Sequence, residues 1–166
     1  FGEHATVCKK GGASISRHNV VRDTRYRIAG QSGLVARMEE KELLPDSERR
    51  PADVFVLNWS LGKSLCIDVA VVTGRDPMGI ASKEKDKRRL NLVDCENAGY
   101  AFEPFVLDSY GRMGLSALRV VNKLAFAYAE THEIYVGIAK SRIRGIIMQA
   151  MIRSQSGIII DRVWKL

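Results

Sequence analysis

The spacing of apolar and polar positions changes several times along the chain, and each change predicts an element boundary. From Arg17 to Ala29, Val20, Val21, Thr24 and Ile28 share one side at helical spacing, with Asn19, Arg22, Asp23 and Tyr26 on the other. Ser14 or Ser16 is the expected N-cap, and Gly30 and Gly33 end this helix. LVARME (34–39) reads as a short strand and EKELLPDSERR as a charged connector. Residues 51–72 predict two strands around a turn at Leu61-Gly62-Lys63. The second, Leu65 to Val72, is apolar apart from Asp68, as expected for a central strand covered on both faces. After a loop at 73–79, a charged helix runs from Ile80 to Asn97, with Gly99 as its stop. YAFEPFVLD (100–108) is another strand, and helices follow over Met113–Glu130 and Ile138–Arg153. The first of these is apolar except for Arg119, Lys123 and Glu130; the second buries Ile143, Ile146, Ile147 and Ala150. Helix, three strands, helix, strand, two helices predicts an α/β layered domain with a mixed sheet.

Composition narrows the class. With 166 residues, 46% of them hydrophobic, the chain is long enough for one buried core and too apolar to be disordered. No apolar run approaches the ~20 residues of a membrane span, so no membrane partner is expected. Lys and Arg number 26 against 19 acidic residues, a formal +7 that favours polyanions through phosphate neutralisation. Cys8, Cys66 and Cys95 are widely spaced and odd in number, which predicts a reduced, intracellular protein; Cys66 reads as a small buried hydrophobe. A chain opening on Phe1 without Met reads as a piece of something longer. Residues 1–12 look like the tail of a separate small module, and residues 13–166 form the main domain.

Two carboxylates carry the candidate chemistry. Asp53 opens a strand just after Pro51-Ala52, and Asp68 stands inside the most apolar strand of the chain. A buried carboxylate without a partner is costly, so Asp68 needs a cation, a metal or strong donors. Aspartates on adjacent strands of a hairpin can converge on one hard cation that prefers oxygen ligands. The competing reading is that Asp68 pairs with an Arg or caps a backbone bulge.

A proline-proximal Asp, a hairpin, then an acidic residue in an apolar strand flanked by helices resembles the PD-(D/E)xK nuclease superfamily. The usual Lys two residues later is missing, because the stretch reads Asp68-Val69-Ala70. GEHATVCKKGG, RHNVVRD, RRPADV, IDVAVV and DCENAGYAFEPFVLDSYG, in that order, resemble the endonuclease domain of non-LTR retrotransposon reverse-transcriptase polyproteins. The resemblance covers most of residues 2–111 and implies a restriction-endonuclease-like three-layer fold, with a central mixed sheet between helices. It also implies a nuclear, Mg²⁺- or Mn²⁺-dependent DNA endonuclease that nicks target DNA to prime reverse transcription, with RNA as a further partner of the full polyprotein.

Carried over by residue, the resemblance makes Asp53 and Asp68 the metal-binding carboxylates. In the family the catalytic Lys migrates to the following helix, and Lys87 is the candidate, with Lys83 and Lys85 as neighbours. Lys63, at the hairpin turn, is too far away. Asp23 is the expected third acidic residue, with Glu39, Glu40 and Glu42 as substitutes. Arg17, His18, Arg22 and Arg88 are the expected DNA contacts. His4 and Cys8 match the last two ligands of a CCHC zinc knuckle, whose two preceding cysteines would lie upstream; Zn²⁺ is expected only in the intact knuckle, since two ligands cannot close a structural site. The blander readings are a solvated face for KEKDKRR (83–89) and no role for His18 or His132. Aromatics make up 7% of the chain and are not interleaved with its basic clusters, so duplex DNA held by its phosphates, with little sequence preference, is the expected substrate. The alternatives are a catalytically inactive nuclease-like fold that only binds nucleic acid, and a protein–protein module with incidental basicity.

Overall fold

The computed structural model describes residues 13–163 except Asp46, Glu48, Arg75 and Pro77, with the side chains of 13, 14 and 158–163 left aside. The elements run α1 (Ala13–Gln31), β1 (Ala36–Met38), β2 (Val54–Ser60), β3 (Lys63–Val72), α2 (Gly79–Asn97), β4 (Ala101–Asp108), α3 (Leu115–Thr131) and α4 (Val136–Val163). This is the predicted order. The boundaries shift by a few residues at several ends: α1 is already helical at Ala13, so neither Ser14 nor Ser16 is an N-cap, and α4 starts at Val136 and runs on past Arg153.

The four strands form one mixed sheet in the order β1-β2-β3-β4. The first three are antiparallel neighbours, while β4 lies parallel to β3 with α2 as the crossover. Residues 65–70 of β3 are all buried, because helices cover both faces of this strand.

Strand alternation divides the core in two. Val54, Val56, Leu65, Ile67, Val69, Phe105 and Leu107 face α1, α3 and α4, where they meet Val21, Ile28, Val121, Leu124, Ile143 and Ile147. Phe55, Cys66 and Phe102 face the other way and pack with Cys95 of α2; Ala70 and Val106 pack with Ile80. Helices on both faces of a mixed sheet are compatible with a three-layer fold. Asp68 falls in register with Cys66 and Ala70, which puts it on the α2 side.

The main core holds one surprise. Arg25 of α1, although charged, is only 1% exposed and stacks its guanidinium 3.7 Å from the Phe105 ring centroid. Among the described residues none of its guanidinium nitrogens finds a hydrogen-bond partner. In contrast, Ile146 and Ala150 of α4 are only half-buried, and Met151 takes the core position beyond Ile147.

Candidate active site

Asp53 precedes β2 by one residue but already belongs to the sheet. Its N–H donates to the Ile67 carbonyl (2.9 Å) and its carbonyl accepts from the Glu39 N–H (3.0 Å). Arg50 stands before a proline and is biased to extended backbone, which feeds the chain directly into this strand. The Asp53 carboxylate accepts the Val69 N–H at Oδ2 (2.6 Å), and its Oδ1 lies 3.2 Å from Nε2 of His18 on α1.

Asp68 is held from the other side. Lys87 Nζ donates to its Oδ1 (2.6 Å) and Asn91 Nδ2 donates to its Oδ2 (2.8 Å). Lys87 and Asn91 are four residues apart on α2, so one helix face presents both donors to β3. A cavity of about 510 Å³ opens over this group, lined by His18, Arg50, Asp53, Asp68, Lys83, Lys87 and Asn91 among others. Asp53 and Asp68 both line this cavity.

Their environments drive the two acids apart. Burial pushes Asp53 up, but the His18 hydrogen bond and the Val69 N–H outweigh it, and the carboxyl ends below its ordinary value. Asp68 is raised, chiefly by burial, against the pull of Lys87 and with the Asp53 charge adding to the rise. His18 is raised above 6.5, first by its hydrogen bond to Asp53. The result is a low-lying and a high-lying carboxyl side by side, a pattern that structural ion-pair networks share with catalytic sites.

The Mg²⁺ or Mn²⁺ implied by the resemblance suits these donors. Both are carboxylates, Asp68 is strained by burial and like charge, and Mg²⁺ keeps several waters beside one or two protein carboxylates. Among the described residues no group of three or more His, Cys, Asp or Glu side chains gathers around a metal position.

Several expected site residues lie elsewhere. Asp23 is exposed, pairs with Arg22 (2.8 Å) and lines a separate groove between α1 and α4 with Arg153. At roughly 100° per residue, His18 and Asp23 diverge by about 140° around the helix, so both cannot face Asp53. Arg17 is buried at 7% exposure rather than presented to DNA. Arg22 is engaged with Asp23 and Glu39, and Arg88 with Glu103 Oε2 (2.6 Å) and Ser116 Oγ (2.8 Å), away from the cavity. Glu40 pairs with Arg37, and Glu42 is exposed. Lys85 is exposed, Lys83 lines the cavity, and Lys63 lies at the hairpin tip, five residues or about 16 Å along β3 from Asp68. His4 and Cys8 lie outside the described residues.

Asn91 and Arg50 were not anticipated. Asn91 was legible as the residue one turn beyond Lys87, and Arg50 as the neighbour of Pro51-Ala52-Asp53. Compared with protein-family models and with curated proteins, the chain matches none. Among the described residues no helix is long and apolar enough to cross a membrane.

Proposed function

We propose that this chain is a restriction-endonuclease-like domain that nicks duplex DNA with the help of a divalent metal, in the setting of a nuclear retrotransposon polyprotein. The observation that carries this reading is the meeting of Asp53, Asp68 and Lys87, from three separate elements, at one basic cavity.

Asp53 and Asp68 are the residues that hold the metal. When bound, the cation supplies Lewis acidity and lowers the pKa of a coordinated water. Lys87 pulls the Asp68 carboxyl back towards its charged form and carries its ammonium at the cavity, where it offsets charge on a scissile phosphate. His18 orients Asp53 through Oδ1. Arg50 and Lys83 add positive charge to the cavity lining, which favours a polyanionic backbone over any particular base sequence.

The test is nicking of supercoiled plasmid in Mg²⁺ or Mn²⁺. Asp53→Asn and Asp68→Asn are each expected to abolish it with the fold retained by circular dichroism. Wild-type rates in either variant overturn the assignment.

One observation favours a second reading, a nuclease-like fold that binds nucleic acid without cutting it. Both oxygens of Asp68 already accept a hydrogen bond from the protein itself. Calorimetric titration with Mn²⁺ separates the two: saturable binding lost in Asp53→Asn supports the enzyme, and no heat from a folded sample supports the binder.

A further inference from the structure

Behind Asp68 stands a second layer of donors. Asn91 is 9% exposed, and its amide is held at both ends: Oδ1 accepts from an Arg49 terminal nitrogen (2.9 Å) while Nδ2 donates to Asp68 Oδ2 (2.8 Å). A guanidinium has five N–H donors and no acceptor. Arg49 can therefore only be met by the amide oxygen, which turns the amide nitrogen towards Asp68. The flipped amide would set oxygen against the carboxylate and nitrogen against a guanidinium, losing both bonds.

Arg49 is itself fixed to α2. It donates to Asp94 Oδ2 (2.8 Å) and to the Leu90 carbonyl (2.7 Å). The segment that ends in Asp53 thus begins by clamping the helix that holds Asp68. Asp68 uses two of its roughly four acceptor positions on Lys87 and Asn91, and two remain for a cation.

We propose that Arg49, acting through Asn91, is a positioning residue that sets the orientation of the Asp68 carboxylate for divalent-metal binding. This rests on the nuclease reading above. Outer partners of metal-binding carboxylates are worth about 10–100-fold in metal affinity or activity.

The test measures Mn²⁺ affinity by calorimetry and the Asn91 side-chain amide resonances by NMR, alongside nicking. Arg49→Met and Asn91→Ala are each expected to weaken Mn²⁺ binding about 10–100-fold and lower kcat, with the KM for DNA little changed. The double variant is expected to be no worse than Asn91→Ala alone, because both act through one chain of bonds. Arg89→Ala removes an exposed ion pair with Asp86 on the same helix, outside the relay, so its metal affinity is expected to stay at the wild-type value. Arg49→Met is also expected to move the Asn91 amide signals in metal-free protein, and Arg49→Leu, which likewise has no donor for Asn91 Oδ1, serves if Met does not fold. A folded Arg49 variant with wild-type Mn²⁺ affinity overturns the relay and leaves the nuclease reading standing. Wild-type protein that binds no Mn²⁺ overturns the nuclease reading, and with it the purpose assigned to Arg49.

Discussion

Lys87 Nζ lies 2.6 Å from Asp68 Oδ1, so helix α2 brings to β3 the ammonium that the run Asp68-Val69-Ala70 does not contain. Asp68 is 8% exposed, and an ionised carboxylate at that depth requires such a partner. Lys87→Met is expected to lower plasmid nicking by about 100-fold or more. Lys85→Met is expected to leave it unchanged, since that side chain is exposed on α2. Equal activity of the Lys87 and Lys85 variants in single-turnover assays would remove Lys87 from the site.

The His18–Asp53 pair predicts a pH dependence of stability. The folded-state pKa of His18 is raised above 6.5 by the Asp53 hydrogen bond, so its contribution is complete below 6.5 and is lost as pH rises through the raised value. Asp53 is lowered, so its contribution is present above 3.8 and lost as pH falls through the depressed value. The pair stabilises most between these limits. Urea unfolding in EDTA is expected to show wild-type stability falling from pH 6 towards pH 8.5, with a smaller fall in His18→Gln. Identical slopes in the two proteins would contradict the coupling.

Arg25 predicts a stabilising substitution. Burial pushes its guanidinium down to about 9, so the folded state disfavours the charge; the cost is complete below about 9 and is relieved as pH rises above it. Replacing buried ionic groups by apolar side chains of similar volume often stabilises, by about 1–4 kcal/mol. Arg25→Met keeps the stem and a sulfur contact with Phe105. Its Tm is expected to rise, and a fall of several degrees would show that the stack on Phe105 outweighs the desolvation.

The β2–β3 turn predicts another. Leu61 and Gly62 have φ of 49° and 77°, and Leu61 is fully exposed. Gly62 suits this left-handed backbone, whereas for Leu it costs roughly 1–2 kcal/mol. Leu61→Asn, the favoured residue in a turn of this kind, is expected to stabilise the domain by about 1 kcal/mol in chemical denaturation. Leu61→Val is expected to destabilise it, because a branched β-carbon fits that region worse. The reverse ranking would exclude backbone strain as the reason.

Much of the fold and part of the candidate site were legible in the residues alone. Hydrophobic periodicity determined the order of elements, because each amphipathic segment has only one face it can bury. Desolvation singled out Asp68 as a carboxylate in need of a donor, and the four-residue spacing of α2 limited which lysines could supply it. The identity of that donor was decided by packing. Only the seating of α2 on the Cys66, Asp68 and Ala70 side of β3 selects Lys87 over Lys85 and adds Asn91. The rotation of α1 likewise brings His18 to Asp53 and turns Asp23 into another groove, although the pattern of RHNVVRD allowed either. Periodicity states which residues share a helix face, whereas the phase of that face against the sheet depends on contacts between residues far apart in the chain. Arg25 is the clearest case. Its four-residue steps from Val21 and to Ala29 place it on the inward stripe, yet its charge argues for solvent, and only the assembled core, with Phe105 beneath the guanidinium, decided between them.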